Sequence, residues 1–354
     1  MKKHPCCLFF IFLVLLVSSC RTKEENTVKF ISWGGKFQND LVSKWIKPIA
    51  DTLNIKLSSE SWNGDYGILS NRIIKGLNTW DIIHVEDHFV NHPDADKMFV
   101  KFNLTMNENY PKELYNQYGI PLLQYGYILA YDSSVVSGTN ANWKSFFNTS
   151  KFSGKRGLRD FPIGNIEIAL LSLDRNIDNC LYNPQLTKND IEIQLNDALK
   201  VFASIKKDIV WWNTGDQLQT GMESGEFAMV AAWSGRVWAL SLDNKTSSKF
   251  KVNPNQALIS TDWLIIPIGA KNVKSAEKLL LNLYNYPTLA KDFSFSQGYL
   301  VPSNNIKVDP NSIEVYLNYG SINNKEGISI SNSFWSKNYS WISQQWNSWR
   351  LGSN

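Results

Sequence analysis

The chain has few cysteines. Only four occur in its 354 residues, and two of them, Cys6 and Cys7, lie in an apolar run near the amino terminus. Removal of that run leaves Cys20 and Cys180, which are too few for a disulfide framework. A hydrophobic core must therefore supply the stability, and at roughly 100–200 residues per domain the chain is long enough for two domains.

The chain also has few histidines and little net charge. Without Lys2 and Lys3, 34 basic residues face 32 acidic ones, a balance that argues against nucleic acid as the main partner. Beyond residue 20, histidine occurs only at His84, His88 and His92. A Gly-rich phosphate loop, a Gly-x-Ser-x-Gly elbow and a His-Glu-x-x-His motif are all absent from the sequence. A hydrolase would therefore need a nucleophile close to these three histidines, and no cofactor is expected.

The amino terminus carries the one long apolar run. A basic head, Met1–His4, precedes the run Cys6–Val17, and the small residues Ser18 and Ser19 follow. Because a membrane-spanning helix needs roughly 20 apolar residues, the pattern predicts a cleaved signal peptide at residues 1–19.

The residues Val17–Cys20 resemble a bacterial lipobox. The resemblance implies that Cys20 is lipidated and becomes the mature amino terminus, with residues 20–26 as a tether. An ordinary signal peptide is the alternative. The expected location is the periplasmic side of a bacterial membrane, with the choice between inner and outer membrane open.

The segment after the tether alternates between strand and helix patterns. Thr27–Ser32, Ile55–Leu57 and the stretch to Ile83 predict strands, separated by helical spacing in 37–53 and 66–74. This β-α-β-α-β order predicts a parallel sheet with ligands beyond the carboxyl ends of its strands. Those ends are Trp33–Gly35, Trp62–Asn63 and His84–His88.

A second α/β pattern begins near Ser145. Strands are predicted at Tyr127–Tyr131, Lys155–Leu158, Phe227–Ala232 and Leu264–Pro267. Helices are predicted at 166–173, 191–206, 276–284 and 335–349. Two α/β lobes with more than one crossing, and a ligand cleft between them, are the expected architecture.

The histidine cluster raises the possibility of a metal site. His84, His88 and His92 recur at intervals of four with carboxylates between them, and on one helix they would form a stripe able to hold zinc. The strand pattern of Asp81–Val85 and the proline at Pro93 argue against one helix. A zinc-capturing receptor remains an alternative.

Seven motifs, in order along the chain, resemble the spermidine/putrescine-binding proteins of ABC importers, within the bacterial extracellular solute-binding proteins. They are Phe30–Trp33, Trp80–Ile83, Tyr118–Pro121 with Gly126, Tyr127 and Tyr131, Gly154–Leu158, Gly225–Met229 with Trp233–Gly235, Asp262–Pro267 and Gly298–Pro302. The resemblance implies a two-lobe α/β periplasmic-binding-protein fold of the class II type, each lobe a mostly parallel sheet flanked by helices. Lobe 1 is expected at 27–131 plus about 260–305, and lobe 2 at 132–259 plus about 306–354.

The resemblance also implies a non-enzymatic receptor for a polyamine or a related small organic amine. A single cation–π contact contributes on the order of 0.5–2 kcal/mol, whereas micromolar binding needs about 8 kcal/mol. Several aromatic faces and a carboxylate must therefore act together. The implied partners are an ABC permease with its ATPase, and the receptor is expected to be a monomer.

The residues that the resemblance places in the ligand site are both aromatic and ionisable. They are Trp33, Glu86, His88, Asp160, Trp212, Trp233, Asp262 and Tyr299. Several of them have an alternative role. The tryptophans can belong to the core, Asp262 can cap a turn, and Glu86 can be an acidic residue that the helix dipole favours at a helix amino terminus.

One departure from the family pattern concerns Gly34 and Gly35, which replace polar and acidic residues after the first tryptophan. Glycines that open a helix expose backbone amides suited to an anion. This departure favours a zwitterion or a carboxylate-bearing ligand over a simple diamine.

Overall fold

The computed structural model of the protein describes residues 26–102, 108–136, 141–241, 250–306 and 327–352. The predicted signal peptide at 1–19, Cys20 and most of the tether at 20–26 lie outside the described residues. Within the described ranges, no helix combines the length and the apolar character needed to cross a membrane.

Strands and helices alternate along most of the chain, as the sequence pattern predicts. The strands are β1 Thr27–Ser32, β2 Lys56–Ser61, β3 Ile82–Glu86, β4 Gly119–Asp132, β5 Arg156–Arg159, β6 Ile209–Trp212, β7 Met229–Trp233, β8 Phe250–Ile265 and β9 Ile328–Ser329. The helices are α1 Gly35–Leu41, α2 Lys47–Thr52, α3 Tyr66–Ile74, α4 Asp87–Val90, α5 Ala95–Met98, α6 Trp143–Phe147, α7 Asn165–Ser172, α8 Ile177–Cys180, α9 Lys188–Ser204, α10 Gly215–Glu223, α11 Ser234–Ser241, α12 Val273–Leu281, α13 Pro287–Gln297 and α14 Asn332–Leu351.

The first lobe is built on β1, β2 and β3. The strand β1 pairs in parallel with both β2 and β3, which confirms the predicted β-α-β-α-β unit. Side chains of β1 point alternately to its two faces, so Phe30 and Ile31 enter different hydrophobic clusters. Helices α2, α12 and α13 contribute to the cluster that contains Phe30, whereas α3 and α4 contribute to the cluster that contains Ile31.

The second lobe is built on β5, β6 and β7, which also pair in parallel. Its hydrophobic cluster includes Leu158 from β5, Phe202 from α9 and the tryptophans Trp335 and Trp346 from the carboxy-terminal helix α14. Both of these tryptophans are fully buried, so the last helix packs on the second lobe.

Two long antiparallel strands connect the lobes. The strands β4 and β8 pair from Gly119↔Ile265 to Asp132↔Phe250, so one mixed sheet runs through the molecule in the order β2-β1-β3-β8-β4-β7-β5-β6, with β9 added beside β8. These strands are much longer than the segments predicted at Tyr127–Tyr131 and Leu264–Pro267. Every residue of β4 is buried, which removes the alternation of apolar and polar residues that marks a strand in sequence.

The α/β architecture is confirmed. The exact lobe boundaries, near residues 131 and 260, stay a prediction.

Candidate functional site

A cavity of about 350 Å³ lies where the two lobes meet. We call it the interlobe cavity, and its lining residues are Trp33, Phe37, Glu86, Leu123, Tyr125, Trp233, Arg236, Asp262 and Tyr299. Aromatic rings and a few charged side chains form most of this lining, which is typical of a site for a small solute. Five of the eight ligand residues expected from sequence are among its lining residues: Trp33, Glu86, Trp233, Asp262 and Tyr299.

The carboxyl group of Asp262 has one oxygen free for a ligand. Asp262 lies on β8 directly opposite Glu86 on β3. Its Oδ2 atom lies 2.9 Å from His84 Nε2, whereas Oδ1 is buried and has no hydrogen-bond partner among the described residues. A buried acceptor without a donor is costly, so this atom is the natural partner for an ammonium group.

The surroundings of Asp262 disfavour its charged form. Burial raises the pKa of the Asp262 carboxyl, His84 opposes this rise, and the nearby charge of Glu86 adds to it. An incoming cation would supply the opposite charge that this carboxylate needs.

The first aromatic wall is held in place by His84. The ring nitrogens of this fully buried histidine lie 2.8 Å from Ser32 Oγ and 3.2 Å from Trp33 Nε1. Trp33 also stacks on Trp62 with ring centroids 5.1 Å apart. His84 thus connects the Trp33 ring to the Asp262 carboxyl group, and both face the interlobe cavity.

The second aromatic wall comes from the second lobe. Trp233 ends β7, lines the cavity and packs edge-on against Trp212, with centroids 4.9 Å apart. Trp33 and Trp233 are both only partly buried, so each has ring surface available to a ligand. Two aromatic faces from opposite lobes can stack on the methylene chain or the cationic group of an organic amine.

An arginine that sequence reasoning missed also lines the cavity. Arg236 lies in the first turn of α11, is 5% exposed, and donates through Nη1 to Asp216 Oδ1 at 3.2 Å and to Gln219 Oε1 at 2.9 Å. A guanidinium has five N–H donors, so these two bonds leave donors available. Burial raises the pKa of Tyr299 to about 12, against the opposing charge of Arg236. The phenol therefore stays neutral beside the guanidinium.

A second buried arginine pairs with Glu86. Arg159 ends β5 of the second lobe, and its Nη1 lies 2.6 Å from Oε1 of Glu86, which ends β3 of the first lobe. The Arg159 guanidinium also lies over the rings of Phe161 and Trp233, at 4.1 and 4.9 Å. Burial opposes the charge on Arg159, but Glu86 raises the pKa of the guanidinium above its usual value, so the arginine is charged. Glu86 lines the cavity with its charge already neutralised.

The three other ligand residues expected from sequence do not line the interlobe cavity. Asp160 accepts hydrogen bonds from Arg350 at 2.8 and 2.9 Å and from Trp346 at 3.2 Å, which fastens α14 to the second lobe. Trp212 is 1% exposed and belongs to the core behind Trp233. Asp160 follows β5 and Trp212 ends β6, so both lie at strand ends, but neither is among the residues that line the cavity.

His88 is also turned away from the interlobe cavity. Its ring packs against Tyr66 and Tyr339, each with a centroid distance of 4.5 Å. It borders a separate, smaller space of about 240 Å³ between α4 and α14. Burial lowers the pKa of His88 well below its usual value, so the ring is a neutral packing group.

The three histidines do not converge on one point. His84 lies on β3 and His88 on α4, and His92 Nδ1 accepts from the backbone N–H of Asp94 at 3.0 Å. Within the described residues, no group of three or more His, Cys, Asp or Glu side chains is arranged to hold a metal ion. The change from strand to helix at Asp87 breaks the four-residue stripe that one helix would have formed.

The two glycines at the start of α1 do not offer a free anion site. The backbone N–H of Gly34 donates to Gln38 Oε1 at 2.7 Å. The Asp216 carboxylate of the second lobe lies against Gly35, so close that a Cβ there would be 2.2 Å from Oδ2. Gly35 is needed because of this approach and its φ of +63°. The negative group next to this loop is therefore the chain's own.

Both arginines lie at or just beyond the carboxyl ends of parallel strands, the positions from which ligand residues were predicted only in the first lobe. Arg159 stands at the carboxyl end of β5, and Arg236 follows β7 by three residues. Ligand groups gather at such ends in parallel sheets. Applying the rule to Arg159-Asp160 and to Trp233–Arg236 would have indicated both positions.

Comparison with known proteins places this geometry in context. Residues 53–314 match the family model described as bacterial extracellular solute-binding protein. The gamma-aminobutyric acid-binding protein of Pseudomonas aeruginosa is 22% identical over 339 residues, which cover 95% of this chain and 94% of that relative.

Two solved structures share the fold. The binding protein MotA from A. tumefaciens B6, in complex with glucopine, has a TM-score of 0.80 at 22% identity and covers 92% of this chain and 100% of its own. The spermidine/putrescine ABC transporter substrate-binding protein from Streptococcus pneumoniae has a TM-score of 0.65 at 16% identity and covers 92% and 99%. The two-lobe fold is thus that of periplasmic binding proteins.

Proposed function

The chain belongs to the bacterial extracellular solute-binding proteins, the substrate-binding receptors of ABC transporters, and from this premise we propose that its solute is an ω-amino acid such as γ-aminobutyrate. The family is extracellular or periplasmic, and its members are receptors and not enzymes. The receptor binds its solute between the lobes and presents it to a permease that a separate ATPase drives.

The observation that carries the proposal is the opposition of charge across the interlobe cavity. The first lobe contributes Asp262, with an unpartnered buried oxygen. The second lobe contributes the guanidinium of Arg236, whose Nη1 is paired with Asp216 and whose other N–H groups could meet a ligand carboxylate. An ammonium group at Asp262 and a carboxylate at Arg236 would each form a charge-assisted hydrogen bond. The aromatic rings of Trp33 and Trp233 would enclose the methylene groups between them.

The relatives support a solute of this kind. The curated relative that covers 95% of the chain binds γ-aminobutyric acid. One structural neighbour holds glucopine, and another is a spermidine/putrescine receptor. An amino group is the feature we take from these relatives, and Arg236 is the reason to prefer a ligand that also has a carboxylate.

A polyamine is the second candidate. Asp262 and Glu86 are directly opposite each other on neighbouring strands, and two adjacent carboxylates are suited to a ligand with two ammonium groups. In this candidate function Glu86 would have to exchange Arg159 for the ligand.

Isothermal titration calorimetry separates the two candidates. The panel is 4-aminobutyrate, 5-aminovalerate, butylamine, butyrate, putrescine and spermidine. We expect an ω-amino acid to bind best, with butylamine and butyrate each at least tenfold weaker because each lacks one charged contact. The variant Arg236→Met should remove the preference for 4-aminobutyrate over butylamine. Binding of putrescine or spermidine with no binding of either ω-amino acid would contradict the zwitterion proposal and favour the polyamine.

We also propose that Cys20 anchors the receptor to a membrane through a lipid. The lipobox-like Val17–Cys20 supports this, and anchoring would keep the receptor near its permease. Cys20→Ala should abolish incorporation of a radiolabelled fatty acid, whereas Cys180→Ala should not. Labelling that persists in Cys20→Ala would refute the anchor.

A further inference from the structure

Glu86 and Asp262 form a pair of adjacent carboxylates, of which only Glu86 is paired with an arginine. They are in direct register on β3 and β8, and both line the interlobe cavity. Glu86 is bound by Arg159, with Nη1–Oε1 at 2.6 Å and Nη2–Oε2 at 3.5 Å. The Oδ1 atom of Asp262 has no donor in the described part of the chain. Only one of the two negative charges is therefore available to a ligand.

The cation that neutralises Glu86 comes from the opposite lobe. Arg159 belongs to β5, and its side chain is 10% exposed while that of Glu86 is 7% exposed. The guanidinium is held between the rings of Phe161 and Trp233. It lies beside Trp233, the ring against which a ligand would stack.

We propose that Arg159 is a specificity-determining residue. Its guanidinium occupies the place that the second ammonium group of a diamine would take, so the receptor is restricted to solutes with a single ammonium group. This inference deepens the proposed function and rests on it. A diamine that reaches Asp262 with one ammonium would bring the other toward a carboxylate that is already paired. The second ammonium group and the Arg159 guanidinium would repel each other strongly, because both would lie beside the same carboxylate where solvent is excluded. The closed lobes then accept a monoamine and reject a diamine of the same length.

The proposal predicts that loss of Arg159 admits diamines. In Arg159→Met the Glu86 carboxylate loses its arginine partner and keeps the long hydrogen bond from the Tyr125 hydroxyl, at 3.5 Å. A buried carboxylate without a cation strongly favours any cation that reaches it. We expect the affinity for putrescine to rise at least tenfold over the wild-type receptor, with 4-aminobutyrate gaining much less. The double variant Arg159→Met with Glu86→Gln should lose the gain, since it removes the carboxylate that attracts the second ammonium.

Two further variants complete the design. Arg350→Met removes another arginine–carboxylate pair, that with Asp160, but outside the cavity, so it should bring no gain in putrescine affinity. If Arg159→Met does not melt cooperatively, Arg159→Gln serves in its place, because its amide can still donate to Glu86 without the positive charge. The readouts are calorimetry and the thermal shift produced by putrescine at a fixed concentration.

The outcomes distinguish this inference from the proposed function. A gain for putrescine that disappears in the double variant supports the role of Arg159, whether or not the wild-type receptor binds 4-aminobutyrate. Failure of the wild type to bind any ω-amino acid contradicts the proposed function alone. Wild-type affinity for putrescine equal to that of the arginine variant, or a gain that persists without Glu86, would overturn the inference.

Discussion

The substitution Asp262→Asn tests the centre of the site. Asparagine has nearly the same shape as aspartate, so it keeps the packing beside Glu86 and can still form a hydrogen bond with His84. What it removes is the negative charge that an ammonium group at the unpartnered oxygen would need. The change should weaken ligand binding without harming the fold.

The magnitude of the loss follows from the kind of contact. A hydrogen bond to a charged group contributes about 1.5–3 kcal/mol, which corresponds to roughly 10- to 150-fold in affinity. The unliganded protein should respond in the opposite direction. Burial and the charge of Glu86 raise the pKa of Asp262, so a neutral side chain relieves an unfavourable charge. We expect the free energy of unfolding to stay the same or to increase.

The matched control is Asp160→Asn, at another position that the sequence suggested for the site. Asp160 binds Arg350 and Trp346 outside the cavity, so its variant should keep ligand affinity within about twofold and lose about 1–2 kcal/mol of stability. Calorimetry with 4-aminobutyrate and urea unfolding measure both quantities. An Asp262→Asn receptor with unchanged affinity, or an Asp160→Asn receptor that no longer binds, would refute the assignment.

Three further predictions concern pH, closure and stacking. Burial raises the pKa of Asp87 to about 7 from 3.8, so the folded protein holds a proton there that the unfolded chain releases. Stability should therefore decrease as pH rises from about 4 to 7, by up to about 4 kcal/mol, and urea unfolding of Asp87→Asn should show no such decrease. In Gly235→Ala the new Cβ would lie 2.3 Å from the Tyr299 ring and 2.4 Å from the Gln297 carbonyl oxygen, so ligand should no longer reduce the radius of gyration measured by X-ray scattering. Trp233→Leu should weaken the binding of an amine by about 1–2 kcal/mol, or roughly 5- to 30-fold by calorimetry.

Each of these results has a contradicting outcome. Equal pH slopes for the wild type and Asp87→Asn would show that the proton is held elsewhere. Normal compaction of Gly235→Ala would show that Tyr299 and Gln297 can move aside. Unchanged affinity in Trp233→Leu would place the ligand away from the ring of the second lobe.

Most of the first lobe was predictable because its signals are local. The strand Thr27–Ser32 and the helix Tyr66–Ile74 occur where the alternation and the helical spacing placed them. The predicted helix over 37–53 is present from Gly35 to Thr52, with π-helical turns at Val42–Ile46. In such segments a half-buried element repeats its apolar residues with its own period.

The strands that connect the lobes were predicted far too short. All of β4 is buried, so no polar face marks its length, and β8 begins with a polar stretch that does not look like a strand. Their pairing spans Gly119 to Asp132 against Ile265 to Phe250. Such long-range pairing is set by the docking of distant segments and leaves no periodic trace.

The same distinction applies to the cavity. The family resemblance was sufficient to indicate Trp33, Trp233 and Asp262, which line it together. Asp160 and His88 were plausible on the same grounds, yet Arg350 binds one and Tyr339 covers the other. Both partners belong to α14, at the far end of the chain, and no spacing in the sequence links them to the site.

The sequence by itself determined the α/β alternation, the family and several residues that line the interlobe cavity, because these depend on local periodicity and on short motifs. Only the tertiary structure decided which charges are free. It pairs Glu86 with Arg159 across the lobes, leaves Asp262 Oδ1 without a donor, and brings Arg236 to the same cavity. The physical reason is that the pairing of a buried charge depends on which distant group meets it in space.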